Sequence, residues 1–505
     1  MDKQYDVIVI GAGNGGLSAA ADAACAGLKT LVIERHNLPG GSASSFVRGR
    51  FEFETTLHEL FDLGNEKNPG TVWQLFDHYG IHLKWYYEQQ MMHIIVPNRV
   101  SLTLPTGIDN FLDTMEKAVP GCRDSVARAL ACGKKGGEAL TYINNQHPSQ
   151  LTLLTKYGDF LKMCACSARE GFQAVGVPDK AAHLMETYWS YLGGTEDQMD
   201  FFTMIVMLYN YLTQRPAMPA HKSHEMSLAL VDSLYRHGGN IWYNCEVSQL
   251  LMDGQQVTGV IANGHEIHSR FVIADVSPTT IITKLLPKGV SAPKQNIKLT
   301  NARKFAYSLE TMYIGLNKSA EELGIRDYST FIVNDLDPVK QAAATGHNQK
   351  GTFIANCLNC FVPDASPKGT CTLFFTAMGD PKYWANLKPE EYFRAKNQRM
   401  KDWVDHYERC TGIHIRPYIE EASFASDVTF ARYLGTPNGS PYGYQIQRWD
   451  NIVPRLINMD KEQMFSHLEI TGAAAENITV AIPMDSCTPK KLLRRQHNNV
   501  GIKNH

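Results

Sequence analysis

No apolar run of about 18 residues or more occurs in the 505-residue chain, so no transmembrane helix is expected. The opening Met1-Asp2-Lys3-Gln4 lacks the cationic and apolar stretches of a secretory signal. Neither sign of charge predominates: the formal net charge is −2, which gives nucleic acid no basic surface to bind. Internal repeats and low-complexity tracts are absent. The 11 cysteines are scattered and odd in number, which reads as reduced thiols in a cytoplasmic protein. Cys357-Leu-Asn-Cys360 has zinc or redox spacing, but no second pair stands near it, so buried structural thiols are expected. No nucleophile, metal cage or acid–base pair stands out. With 44% hydrophobic and 20% charged residues, the composition is that of a globular protein with two to three domains.

What is present is concentrated at the start. Tyr5 to Ile10 is an apolar, β-branched run that predicts a buried strand. Gly11-Ala12-Gly13-Asn14-Gly15-Gly16 follows at once, then a small-residue helix from Leu17 to Ala26 closed by Gly27, and a second strand over Thr30–Ile33. This is a complete βαβ unit with a dinucleotide fingerprint. Gly11 permits the tight turn, Gly13 lets main chain approach a pyrophosphate, and Gly16 lets helix and strand pack closely. The helix N-terminus then faces the phosphates. Glu34, ending the second strand, can accept hydrogen bonds from the adenosine ribose hydroxyls.

Arg35 and the pair Gly40-Gly41, followed by Ser42, narrow the cofactor. A second double glycine suits another phosphate and a ribityl chain. The pattern E-R-x4-G-G resembles the FAD signature of glutathione-reductase-like flavoproteins. Ser45 to Glu54 with Leu57-His58, and the block from Leu228 to Asp275, resemble phytoene desaturases, carotenoid isomerases and retinol saturases. The likeness is clear over about the first 60 residues and over 225–290, and partial at the end of the chain. It implies a helix, a strand whose backbone at Val247 contacts the adenine, a hairpin and a return strand. It also implies that His467 to Ala473 is a strand ending on Gly472-Ala473 beside the flavin.

The fold class that follows is α/β: a discontinuous Rossmann-like, glutathione-reductase-type FAD domain carrying an inserted α+β substrate domain. The expected division is 1–105, 221–295 and 431–505 for FAD, with 106–220 as a helical and 296–430 as a sheet-containing part of the substrate domain. Aromatics and methionines at Met163, Tyr188, Trp189, Tyr191, Met204, Met207, Tyr209 and Tyr211 could line an apolar tunnel or simply pack a core. Three departures from the resemblance stand out. Glu54-Thr55-Thr56 replaces a usual glycine, His221-Lys222-Ser223-His224 replaces a glycine-rich turn, and Ala474–Ser486 lacks the usual final turn.

The function implied is that of an FAD-dependent oxidoreductase acting on C–C bonds of a long apolar lipid of carotenoid or retinoid type. Desaturation, saturation and cis–trans isomerisation are all compatible with this, and NAD(P)H could serve as an external reductant. His58 is the titratable residue expected near the ring, as a proton donor or a hydrogen-bonding partner. The basic tail Lys490–Arg495 could touch a membrane surface. A flavin amine oxidase and a non-catalytic flavoprotein are the alternatives.

Overall fold

The computed structural model describes residues 4–146, 150–346, 352–451, 454–455 and 463–472. Two seven-stranded sheets organise it. The first is built on Gln4–Ile10, whose side chains are buried on both faces beyond its first residues. It pairs in parallel with Thr30–Ile33 on one side and with His265–Ala274 on the other. Asn240–Trp242 extends the sheet beyond Thr30–Ile33, and Leu468–Ile470 extends it beyond Val272–Ala274, again in parallel. Register brings Ile10, Ile33, Ala274 and Ile470 to one edge. The loops after those four strands therefore open at the same place, where ligands bind in such sheets.

The helix Asn14–Cys25 covers one face, its alanines fully buried, and packs beside Ser223–Arg236. The run from Trp242 to Leu250 is not one strand. The chain leaves the sheet after Trp242, turns through Asn244 at φ +52°, and starts a new strand at Val247. Val247–Asp253, Gln256–Ala262 and the first half of His265–Ala274 then form an antiparallel meander.

The second sheet runs Ile419–Ala425, Leu309–Leu316, Cys371–Met378, Phe353–Asn356, Ser329–Ile332, Gln90–Val96, Val100–Pro105. The hairpin from Gln90 to Pro105, which the expected boundary at 105 groups with the nucleotide-binding part, hydrogen-bonds into this sheet through Ser329–Ile332. The described residues of 106–220 are mostly helical, with a short strand at Ala217–Pro219. Within this stretch Gln150–Lys156 and Gly158–Ala165 are separate helices, broken at Tyr157. Arg123–Gln146 lies against Phe201–Gln214, and two of its three glycines serve that contact: a Cβ on Gly133 would stand 2.5 Å from the Ile205 carbonyl oxygen and one on Gly136 2.9 Å from the Val206 side chain. Among the described residues no helix is long and apolar enough to cross a membrane. Cys357, Cys360 and Cys371 are free thiols, Cys357 and Cys371 being buried in the second sheet's core.

Candidate functional site

A single cavity of about 680 Å³ starts at the strand-end loops of the first sheet and runs into the seam with the second. Gly11, Gly13, Asn14, Gly15, Glu34, Arg35, Gly40, Gly41, Ser42, Val247 and Gly472 all line it. Gly16 is buried behind them, and Ala12 is fully buried. Ala473 and the segment Ala474–Ser486 lie outside the described residues, as does the tail Lys490–Arg495.

The two glycine loops are fastened together. The Gly40 N–H donates to the Ala12 carbonyl at 2.7 Å, and Glu34 accepts from the Ala12 and His36 N–H groups at 2.6 and 2.7 Å. Gly40 needs its glycine: φ is +110°, and a Cβ would lie 2.9 Å from Ser227 Oγ. That same hydroxyl donates to Asn14 Oδ1 at 2.6 Å, tying the helix Ser223–Arg236 to the fingerprint. Arg35 reaches away from the loop, donating to the Arg432 and Tyr433 carbonyls at the end of the helix Asp427–Leu434. There it meets the helix's negative pole.

Asp275 is a residue that motif reading missed. It follows the strand His265–Ala274, lines the cavity half-buried, and accepts the Gly16 N–H at 3.0 Å. A Cβ on Gly13 would stand 2.5 Å from its Oδ2, and one on Gly472 would collide with Oδ1. Gly16 itself packs against the Gly11 carbonyl. The glycines therefore make room for a carboxylate as well as for a ligand. Burial pushes this carboxyl up to about 6, against the lowering pull of the Gly16 and Gly13 N–H groups. Its place after a strand, in Ala274-Asp275, was the only signal available.

Two of the three departures in sequence have structural substitutes. Thr55 and Thr56 both donate their hydroxyls to the Ser42 carbonyl, at 2.6 and 2.7 Å, so two side chains pin the second glycine turn. Lys222 adopts φ +69° where a glycine would be at ease, and its ammonium meets Glu52 at 2.8 Å. Glu54 accepts the Ser223 N–H at 2.7 Å at the start of the helix. Burial still raises Glu54 to about 8.

The inner end of the cavity is lined by His58, Glu59, Tyr191, Tyr211, Asn356 and Tyr442, with apolar neighbours that include Met207 and Ile354. His58 lies on the Phe374 ring at 4.4 Å between centroids, and its Nε2 has no hydrogen-bond partner. Burial holds its imidazole down at about 4, outweighing a hydrogen bond to the Glu54 carbonyl. At neutral pH it is an uncharged imidazole rather than an acid, which leaves the hydrogen-bonding role. Glu59 next to it is buried; Oε1 accepts the Tyr211 O–H at 3.2 Å and Oε2 has no partner. Burial, reinforced by the Glu88 charge, raises Glu59 to about 8. Sequence reading passed over Glu59 because a lone glutamate in a loop has no signature. Of the aromatic and methionine set, Tyr191, Met207 and Tyr211 reach the cavity, whereas Met163, Tyr188 and Met204 pack the helical core.

The domain family described as "NAD(P)-binding Rossmann-like domain" matches residues 9–79. An all-trans-retinol 13,14-reductase of Danio rerio is 23% identical over 477 residues, covering 87% of this chain and 78% of that protein. A chloroplastic prolycopene isomerase of Daucus carota is 20% identical over 459 residues, covering 87% of this chain and 72% of that protein. The resemblance read from two stretches thus extends over most of the chain. Among solved structures, an oxidoreductase from Methanosarcina mazei shares the fold with a TM-score of 0.64 at 15% identity, covering 96% of this chain and all of that one. Cyclohexylamine oxidase from Brevibacterium oxydans does so with a TM-score of 0.60 at 13% identity, covering 97% and 99%. The Rossmann-like α/β fold expected from the sequence is the fold of these proteins.

Proposed function

We propose that this protein is an FAD-dependent oxidoreductase acting on carbon–carbon bonds of a long apolar polyene. One observation carries the reading: a single cavity joins the dinucleotide loops to an apolar, tyrosine-lined chamber between the two sheets. The similarity to proteins named for retinol and prolycopene chemistry supports the substrate class. FAD suits the residues present, since the paired glycine turns form a cradle that side chains would fill.

In this reading Glu34 holds the ribose hydroxyls, and Asn14 and Gly15 at the helix start meet the pyrophosphate. Gly40, Gly41 and Ser42 would flank the second phosphate, the Val247 backbone would meet the adenine, and Gly472 would lie toward the ring. When bound, FAD supplies the redox chemistry. The chain's own contribution at the inner end is to exclude water, orient the polyene and handle one proton. Saturating a C=C bond requires a proton as well as a hydride, and Glu59, neutral at pH 7, is the residue able to donate it at Oε2. His58 Nε2 accepts a hydrogen bond. A saturase would draw its electrons from an external reductant such as NAD(P)H.

A second reading has its own observation. A carboxylate among Tyr191, Tyr211 and Tyr442 is also what an amine oxidase would offer a cationic substrate. The purified protein should be yellow with bound FAD. Anaerobic bleaching by polyenes, or reoxidation of the chemically reduced protein by them, is the expected result; bleaching by primary amines alone would overturn it in favour of the second reading.

A further inference from the structure

Away from the cavity, the helical part holds a buried cluster that neither the fold nor the proposed reaction explains. His183 and Glu186 stand one turn apart on the helix Asp179–Glu186, and Glu196 comes from the loop that follows Gly193, at φ +71°. One ligand-capable atom from each lies within 4.8 Å of the others. None of the three lines the cavity.

Glu186 is the residue that demands an explanation. It is 0% exposed, and neither carboxylate oxygen receives an N–H or O–H; its polar neighbour is the Glu196 carboxyl, close enough to share a proton or a cation with it. Glu196, 2% exposed, faces it, and the nearby charge of Asp337 adds to the repulsion. Arg169 pairs with Glu196 Oε1 and compensates one negative charge. With both acids ionised and His183 neutral, the guanidinium leaves one negative charge over, and an uncompensated buried charge costs several kcal/mol. A divalent cation or a shared proton would resolve it.

We propose that His183, Glu186 and Glu196 are the protein ligands of a divalent metal ion of the zinc class. An imidazole with two carboxylates is a zinc-type donor set with room for a water, whereas calcium takes oxygen ligands throughout. His183 Nε2 and Glu196 Oε2 are 3.8 Å apart, close to the ~3.4 Å that two ligands of one tetrahedral zinc would span. Arg169, on the other oxygen of Glu196, holds that ligand in place as outer partners of metal ligands do. The loop bearing Glu196 is fixed too: the Arg169 N–H donates to the Glu196 carbonyl at 3.1 Å, and the Gln198 and Met199 N–H groups donate to Thr195 at 2.9 and 2.8 Å.

The test uses the full-length protein, stripped with chelator, incubated with zinc chloride and desalted. Metal analysis should find one more zinc per chain in the wild type than in Glu186→Gln, and zinc should raise the melting temperature of the wild type only. Cobalt substitution should give a visible band that Glu186→Gln lacks. Equal zinc in both proteins, or none in either, overturns the site. If in addition metal-free Glu186→Gln melts as high as the wild type or higher, the acids share a proton instead. Should Glu186→Gln fail to fold, His183→Asn, at a partly exposed position, replaces it with the same readouts. These outcomes do not depend on whether flavin is bound.

Discussion

At its nucleotide end the cavity is walled by main chain from the loops after parallel strands, and small residues let those loops touch. At its inner end it is walled by side chains, Glu59, Tyr191, Tyr211 and Asn356, which come from a loop, two helices and a strand. The first end satisfies its polar groups internally, with Ala12, Gly16 and Gly40 all donating within the loops. The second retains partnerless atoms: His58 Nε2, Glu59 Oε2 and Asn356 Oδ1. A wall of backbone can hold the same cofactor in many proteins. Buried polar atoms without partners carry a desolvation cost, so they mark where chemistry on a substrate is to be sought.

Glu59→Gln tests this contrast most severely. It keeps the shape and removes the transferable proton, so turnover should fall by about 10²–10⁴-fold while FAD occupancy stays constant. The wild type should also lose activity as pH rises through about 8, where the Glu59 carboxyl ionises, and the residual activity of the variant should not. Full turnover in Glu59→Gln would remove this residue from the chemistry.

The nucleotide end has carboxylates as well as backbone, and Asp275, half-buried at the cavity wall, is one of them. Its folded-state carboxyl stands at about 6, above an ordinary value of 3.8. The stability its protonated form contributes is complete below pH 3.8 and is lost as pH rises through about 6. The difference amounts to about 3 kcal/mol. Between pH 4 and pH 7.5, wild type should therefore lose about that much more unfolding free energy than Asp275→Asn. Parallel urea curves would show it, and equal losses would mean that the carboxyl is compensated already.

How much of each end could be read in advance follows from the same contrast. Gly11 to Gly16, Glu34 and Gly40-Gly41 were legible because backbone contacts demand particular residues at fixed spacing. Asp275 lies far from that motif in sequence and entered the loop only through the parallel pairing of His265–Ala274 with Gln4–Ile10. Glu59 and Asn356 meet through tertiary packing of a loop and a sheet, which no local pattern encodes. The hairpin Gln90–Pro105 likewise looks the same in sequence whichever sheet it joins; pairing with Ser329–Ile332 decides. His58 was legible as a residue but not as a neutral one, because burial is set by Phe374 and its neighbours.

Gly13→Val sharpens the comparison from the other side. The added side chain meets the Asp275 carboxylate, which the Gly16 N–H holds at 3.0 Å. Overpacking of this kind costs about 1–3 kcal/mol. FAD should bind at least tenfold more weakly, while the inner end, and with it turnover per bound flavin, stays as it was. Equilibrium dialysis with FAD, alongside rates normalised to bound flavin, separates the two quantities. A normalised rate falling as steeply as the affinity would show that the ends are not independent.

Thr56→Val is the mildest probe and falls on the junction between the ends. Thr56 lines the cavity, and its hydroxyl shares the Ser42 carbonyl with Thr55. Valine keeps the volume and the branching, so only one hydrogen bond is lost, and the acceptor keeps its other donor. No group is left wholly unsatisfied, and the loss should be near the usual net value of about 1 kcal/mol or less. If the two threonines stand in for the missing glycine by fixing the second glycine turn, FAD affinity should drop about threefold to fivefold. Adding Thr55→Val should then cost more than the two single changes together, since the carbonyl would lose both donors. Additive effects in that double variant would mean that the turn is held by Gly40 and its backbone bond to Ala12 alone, and that the threonines merely fill the space.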